Sequence, residues 1–257
     1  VPAPLALPRL TWGDGPRRAL LVHGLGSSAA LMWRIGTALA DAGWQATAVD
    51  LRGHGNAPRA LDYSMNAYAA DLAAVRPAEI RNSSAPTTAP WDAVIGHSLG
   101  GAASTVAAAS DPAWTRRLVL IDPAIRVTGR DAGIIRRSQE RAFTRPSVAA
   151  VRDEHPQWHP QDIELKVDAV LRASRWAVEQ TSAQNDPWDV REQAARLATP
   201  THIIGADPKV YSLFTGELAA SVLANPHATM SIVRGAGHSP HRDDPHETIR
   251  QILEALI

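Results

Sequence analysis

The chain contains no cysteine. That absence excludes a disulfide framework, a cysteine nucleophile and a thiolate metal site. It fits a reducing compartment, and a cytoplasmic location is expected. Net charge is also lacking, because 26 basic residues balance 26 acidic ones. A general nucleic-acid binder needs a basic excess, so no nucleic-acid partner is expected. No run approaches the ~20 apolar residues of a membrane span, and no membrane partner is expected. Val1-Pro2-Ala3-Pro4 shows no charged-then-apolar signal pattern. Lysine is scarce: Lys166 and Lys209 are the only two. With alanine abundant, this reads as coding bias. The histidines offer no metal-ligand spacing either. His155 and His159 stand four apart, but Pro156 between them breaks a regular helical face. No metal or cofactor is expected.

What is present is an alternation of apolar runs and helical stretches over 257 residues, enough for one α/β domain with a sizeable core. Residues 5–12, 19–23, 46–50, 117–122, 201–205 and 228–233 read as strands, several as continuous apolar runs buried on both faces. Helices are expected over 29–42, 65–75 and 102–110, with an amphipathic one over 243–257. Residues 76–90, with Pro77, Pro86 and Pro90, read as an exposed, mobile connector. Such alternation means a mostly parallel sheet with helices on both faces. Residues 123–199 are the exception. They hold no convincing strand, and helices are expected over 131–143, 147–153, 161–181 and 190–197. A helical insertion between two core strands reads as a lid (123–199) over a core made of 1–122 and 200–257.

The chemistry concentrates at Gly96-His97-Ser98-Leu99-Gly100. The pattern G-x-S-x-G stands between the strand-like Trp91-Asp92-Ala93-Val94-Ile95 and the alanine-rich helix. A serine there is forced into a tight turn that presents its hydroxyl. Serine is a poor nucleophile at neutral pH and needs a base oriented by a carboxylate. His238, in the glycine-rich loop Gly235-Ala236-Gly237-His238 after the last strand, is the base candidate. Asp207, in Gly205-Ala206-Asp207-Pro208, is taken as the acid, with Asp122 at the end of the preceding strand as the alternative. Backbone N–H groups of Leu99 and Leu25 are expected to hold an oxyanion.

Together these residues resemble the α/β-hydrolase superfamily in its lidded serine-esterase branch. The matching motifs are His23-Gly24-Leu25-Gly26, Asp50-Leu51-Arg52-Gly53-His54-Gly55, Gly96 to Gly100, and Gly237-His238, in the family's order. Ala57 stands where similar proteins often carry serine, and Gly205 and Asp207 lie two apart rather than three. The resemblance implies hydrolysis of a small-molecule carboxylic ester through an acyl-enzyme. It leaves open carbon–carbon bond hydrolysis of aromatic ring-cleavage products, lactone opening, or a ligand-receptor role on the same fold. Trp158, Trp176 and Trp188 lie in the insertion, and one of them lining the pocket would favour an apolar or aromatic ester. Arg126, near Arg130, Arg136 and Arg137, is the candidate for pairing with a substrate carboxylate, as in the half-esters cleaved by monoalkyl phthalate hydrolases.

Overall fold

The structure, a computed structural model, describes residues 2–77 and 89–257. Most of the expected 76–90 connector lies outside the described residues.

Seven strands form one sheet: β1 (Arg9–Trp12), β2 (Arg17–Val22), β3 (Trp44–Val49), β4 (Ala93–His97), β5 (Leu118–Ile121), β6 (Thr201–Gly205) and β7 (Ala228–Ile232). Their order is β1-β3-β2-β4-β5-β6-β7. Only β1 is antiparallel; every other neighbouring pair is parallel. The central strands read as unbroken apolar runs because both faces are covered. Leu20, Val22 and Val94 point into one core, and Ala19, Leu21 and Ile95 into the other. The exposed β1 and the half-buried β7 are the edges.

One face is covered by α1 (Trp33–Asp41), entered through a short 3-10 turn over Ala29–Met32, and by α11 (Pro245–Ala255). The other carries α2 (Met65–Ala74), α3 (Leu99–Ser110) and α9 (Gly216–Leu223). The expected 29–42 helix is therefore a 3-10 turn followed by a shorter α-helix, and α9 was not anticipated. Between β5 and β6 run α4 (Gly129–Thr144), α5 (Val148–Glu154), α6 (Pro160–Arg172), α7 (Arg175–Gln184) and α8 (Arg191–Ala195). The single helix expected over 161–181 is two. Ser174 ends the first by capping the second, its hydroxyl accepting from Ala177 N while its own N–H donates to Gly53 O. The four-residue α10 (Pro240–Asp243) precedes α11.

Candidate active site

In a parallel sheet the loops at the carboxyl ends of the strands converge. Ser98 follows β4 directly and has φ +52°, a left-handed conformation that a non-glycine residue adopts only when its surroundings impose it. Two contacts do so. Ser98 N donates to Ile121 O at 3.1 Å, and Ala124 N donates to Ser98 O at 3.1 Å. Close approach explains the glycines. A Cβ on Gly100 would stand 2.4 Å from Val22 O, and one on Gly24 would stand 2.9 Å from His97 Nδ1 and 3.1 Å from Ser98 Cβ. The His23–Gly24 turn is thereby seated beside the serine. Leu25 lies in the same loop, one residue after Gly24, and Leu99, the first residue of α3, follows Ser98 in the chain.

Asp122 ends the adjacent strand and also has positive φ, +36°. It is fully buried, and its carboxylate accepts from five donors. Oδ1 takes Ser212 Oγ (2.6 Å), Ala206 N (3.3 Å) and Phe214 N (3.3 Å). Oδ2 takes Leu213 N (3.0 Å) and His238 Nδ1 (2.6 Å). With Nδ1 donating, His238 Nε2 is left to accept from Ser98 Oγ at 2.9 Å. The three side chains thus form one hydrogen-bonded chain, along which the serine proton can pass to the imidazole while the carboxylate holds its tautomer.

Asp207, the acid first expected, is engaged elsewhere. Its Oδ2 accepts from Gly235 N (2.8 Å) and its Oδ1 from Lys209 N (2.9 Å). These N–H donors, Gly235 first, hold its carboxyl below the usual carboxylate range. It ties two loops together, and the contact to His238 belongs to Asp122, the alternative.

The histidine-rich motifs hold the loop beside Ser98. His23 Nδ1 donates to Gly24 O (2.7 Å), and its Nε2 accepts from Leu51 N (3.0 Å). His54 Nδ1 donates to Arg52 O (3.0 Å), and its Nε2 accepts from Gly26 N (3.1 Å). Each ring needs one proton only, and burial pushes His23 down to about 4 and His54 to about 3. Asp50 accepts from Ala29 N and Asn56 N. Beneath this turn, Arg52 makes a two-pronged buried ion pair with Asp71, both bonds 2.7 Å. The helical insertion reaches the same loop. Lys166 Nζ donates to Gly26 O at 2.8 Å, and Gln139 Nε2 donates to Leu25 O at 3.5 Å.

The other expected residues fall further out. Arg126 is exposed, and with Arg130 it lines a groove of about 360 Å³ that also includes Tyr211 and Ser212 but not Ser98. Trp188 is buried, donating to Ala124 O (2.7 Å), and Trp158 is buried, donating to Asp243 Oδ1 (2.6 Å). Trp176 is 44% exposed and meets Tyr63 edge-on. Sequence reasoning missed Gln139, Lys166, Ser212 and Arg242 near the site; the rarity of lysine was the one available signal. Among the described residues, no group of three or more His, Cys, Asp or Glu could hold a metal ion. Among them, too, no helix is long and apolar enough to cross a membrane.

The alpha/beta hydrolase family matches residues 19–251 of this chain. Lipase LipV of Mycobacterium tuberculosis is 33% identical over 116 residues, 45% of this chain and 41% of the lipase. The chain thus spans about two fifths of the length of that curated relative. Among solved structures, the N-formylmaleamic acid deformylase of Pseudomonas putida aligns with a TM-score of 0.78 at 24% identity, over 96% of both chains. An E-2-(acetamidomethylene)succinate hydrolase aligns with a TM-score of 0.81 at 23% identity, over 98% of this chain and 95% of its own. At such identities the likeness is one of fold. The family match spans most of the chain, and the chain belongs to the alpha/beta hydrolase family.

Proposed function

We propose that this alpha/beta hydrolase cleaves small carboxylic esters with Ser98 as nucleophile. The observation that carries the reading is the hydrogen-bonded chain from Ser98 Oγ through His238 to Asp122, at 2.9 and 2.6 Å. Ser98 Oγ attacks the ester carbonyl as its proton moves to His238 Nε2. The imidazolium is stabilised by the Asp122 carboxylate, and the N–H groups of Leu99 and Leu25 receive the oxyanion. His238 returns the proton to the departing alcohol. Water, deprotonated by the same nitrogen, then releases the acid and restores Ser98. The match to a lipase over part of its length supports esters as the substrate class.

In this reading residues 123–199 form the lid. Support comes from Gln139 and Lys166, which bring α4 and α6 onto the Leu25–Gly26 loop. Trp158 and Trp188 serve chiefly to anchor the insertion, through Asp243 and Ala124. The exposed position of Arg126 gives no support to its receiving a substrate carboxylate.

Intact mass after exposure to a fluorophosphonate probe tests the mechanism. Wild-type protein should gain one adduct and hydrolyse short p-nitrophenyl esters. Folded Ser98→Ala protein should do neither. Ester turnover retained by Ser98→Ala would overturn the assignment.

A further inference from the structure

Polar groups without partners gather behind the Gly24–Ser28 loop. Ser27 Oγ, Ser28 Oγ, Gln139 Oε1, His97 Nδ1, both ring nitrogens of His241 and Arg242 Nε are buried and make no hydrogen bond among the described residues. They fall in two sets that meet at the Gly24–Gly26 stretch of this loop. Gly24 approaches His97 Nδ1, the His97 ring lies 4.6 Å from that of His241, and Arg242 follows His241 in α10. Gly26 is pressed against Gln139 Oε1. Buried polar atoms are rarely left unpaired, so such a concentration offers donors and acceptors to a polar ligand.

Two cations give that ligand a sign. Arg242 is 5% exposed, with its guanidinium carbon 4.9 Å from the centre of the Trp158 ring. Its nearest carboxylates are committed elsewhere. Asp162 accepts from Arg34 Nε (3.0 Å) and Trp33 Nε1 (2.7 Å). Asp243 accepts from Gly237 N, Gln157 Nε2 and Trp158 Nε1. No described carboxylate lies within ion-pair distance, 4.0 Å, of Arg242. Among the described residues, Lys166 hydrogen-bonds to the Gly26 carbonyl and makes no ion pair within 4.0 Å. Burial first, and then the charge of Arg242, lower Lys166 to about 7, against a smaller opposing pull from the Glu154 carboxylate. A buried charge lacking its counter-ion is strongly unfavourable, and a carboxylate on a guanidinium and an ammonium is the pairing that relieves it.

We infer that Arg242 and Lys166 receive a carboxylate carried by the substrate, so that the ester cleaved at Ser98 is a half-ester of a short dicarboxylic acid. This rests on the serine-hydrolase reading and narrows its substrate class. The spacer is short because Lys166 is bonded to the residue after Leu25, and consecutive residues are about 3.8 Å apart. Arg126, on its outer groove, plays no part.

Binding measured on the Ser98→Ala protein isolates the anion site from turnover. Calorimetry should find monomethyl glutarate bound at least tenfold more tightly than dimethyl glutarate. Arg242→Gln, added to Ser98→Ala, should remove at least tenfold of that advantage, with Arg242→Lys keeping part of it. Lys166→Met should lower it severalfold and serves if Arg242→Gln does not fold. Equal affinity for the two esters, or an equal loss for both in the folded variants, would overturn the inference and leave the Ser98 mechanism standing. Hydrolysis of either ester by Ser98→Ala would overturn the mechanism instead. Glutarate against glutaramide, neither of which can be cleaved, would then decide the anion site by the same tenfold criterion.

Discussion

Asparagine at position 122 keeps the shape of the carboxylate and removes its charge. All five partners of Asp122 are donors. An amide offers one acceptor oxygen, and that oxygen is best spent on the side of Ser212, Ala206 and Phe214. The amino group then faces Leu213 N and His238 Nδ1. To accept from it, His238 must carry its own proton on Nε2, the nitrogen that has to take the proton of Ser98. Turnover of a p-nitrophenyl ester should fall about 10³–10⁴-fold, as expected for a wrong tautomer in such a chain. The lost acceptor at Leu213 N adds a stability cost of about 1–3 kcal/mol, small enough for the variant to fold. Asp207→Asn is the counterpart. Its partners are Gly235 N and Lys209 N, so kcat should stay within about fivefold while the denaturant midpoint drops. Steady-state kinetics on both variants, each checked by circular dichroism, read the contrast. A larger kinetic loss in Asp207→Asn than in Asp122→Asn would refute the reasoning.

Acid sensitivity follows from His23 and His54. Both are neutral when folded and would bind protons near 6.5 when unfolded, so their stabilisation is complete above pH 6.5 and is lost as pH falls. At about 1.4 kcal/mol per pH unit for each group, His23 forfeits roughly 3 kcal/mol by pH 4 and His54 roughly 5 by pH 3. Their rings are 5.3 Å apart, so the protons enter one after the other. Urea midpoints between pH 7 and 4.5 should decline steeply, and His54→Gln should make the decline shallower by about one proton; a flat profile would contradict the assigned tautomers. Asp71→Asn strands the buried Arg52 charge and should cost about 3–5 kcal/mol, or roughly 10 °C in Tm. Asp189→Asn, which breaks the exposed pair with Arg191, should cost under about 1 kcal/mol in the same thermal scan.

The sheet was legible because its central strands are unbroken apolar runs, a pattern that only burial on both faces explains. Ser98 was legible because glycines flank it at the end of a strand-like run, and His238 because glycines precede it after another. The choice between Asp122 and Asp207 was not. Both aspartates end a strand at the same sheet edge, and both satisfy the order serine, acid, histidine. What separates them is strand adjacency: β5 pairs with β4, His97 against Ile121, while β6 lies one strand further away. The two-residue spacing of Gly205 and Asp207 was the trace of this in the sequence. Arg242 was invisible for another reason. In His241-Arg242-Asp243-Asp244 it reads as a solvated charge among acids, and only the fold shows those acids turned to other donors. The break at Ser174 was hidden because its capping role depends on a tertiary contact with Gly53.

Ser98 and Asp122 directly follow neighbouring strands of one ladder, joined through the Ile121 carbonyl, and are separated by 24 positions along the chain. His238 is 140 positions from the serine and 116 from the aspartate. The reacting group is therefore built in two unequal stages, a local pair and a distant closure. Division of the polypeptide anywhere between residues 122 and 238 leaves the serine and its acid on one piece and the histidine alone on the other. The active centre is in this sense a natural split reporter, in which chemistry registers the docking of the C-terminal strands against the rest.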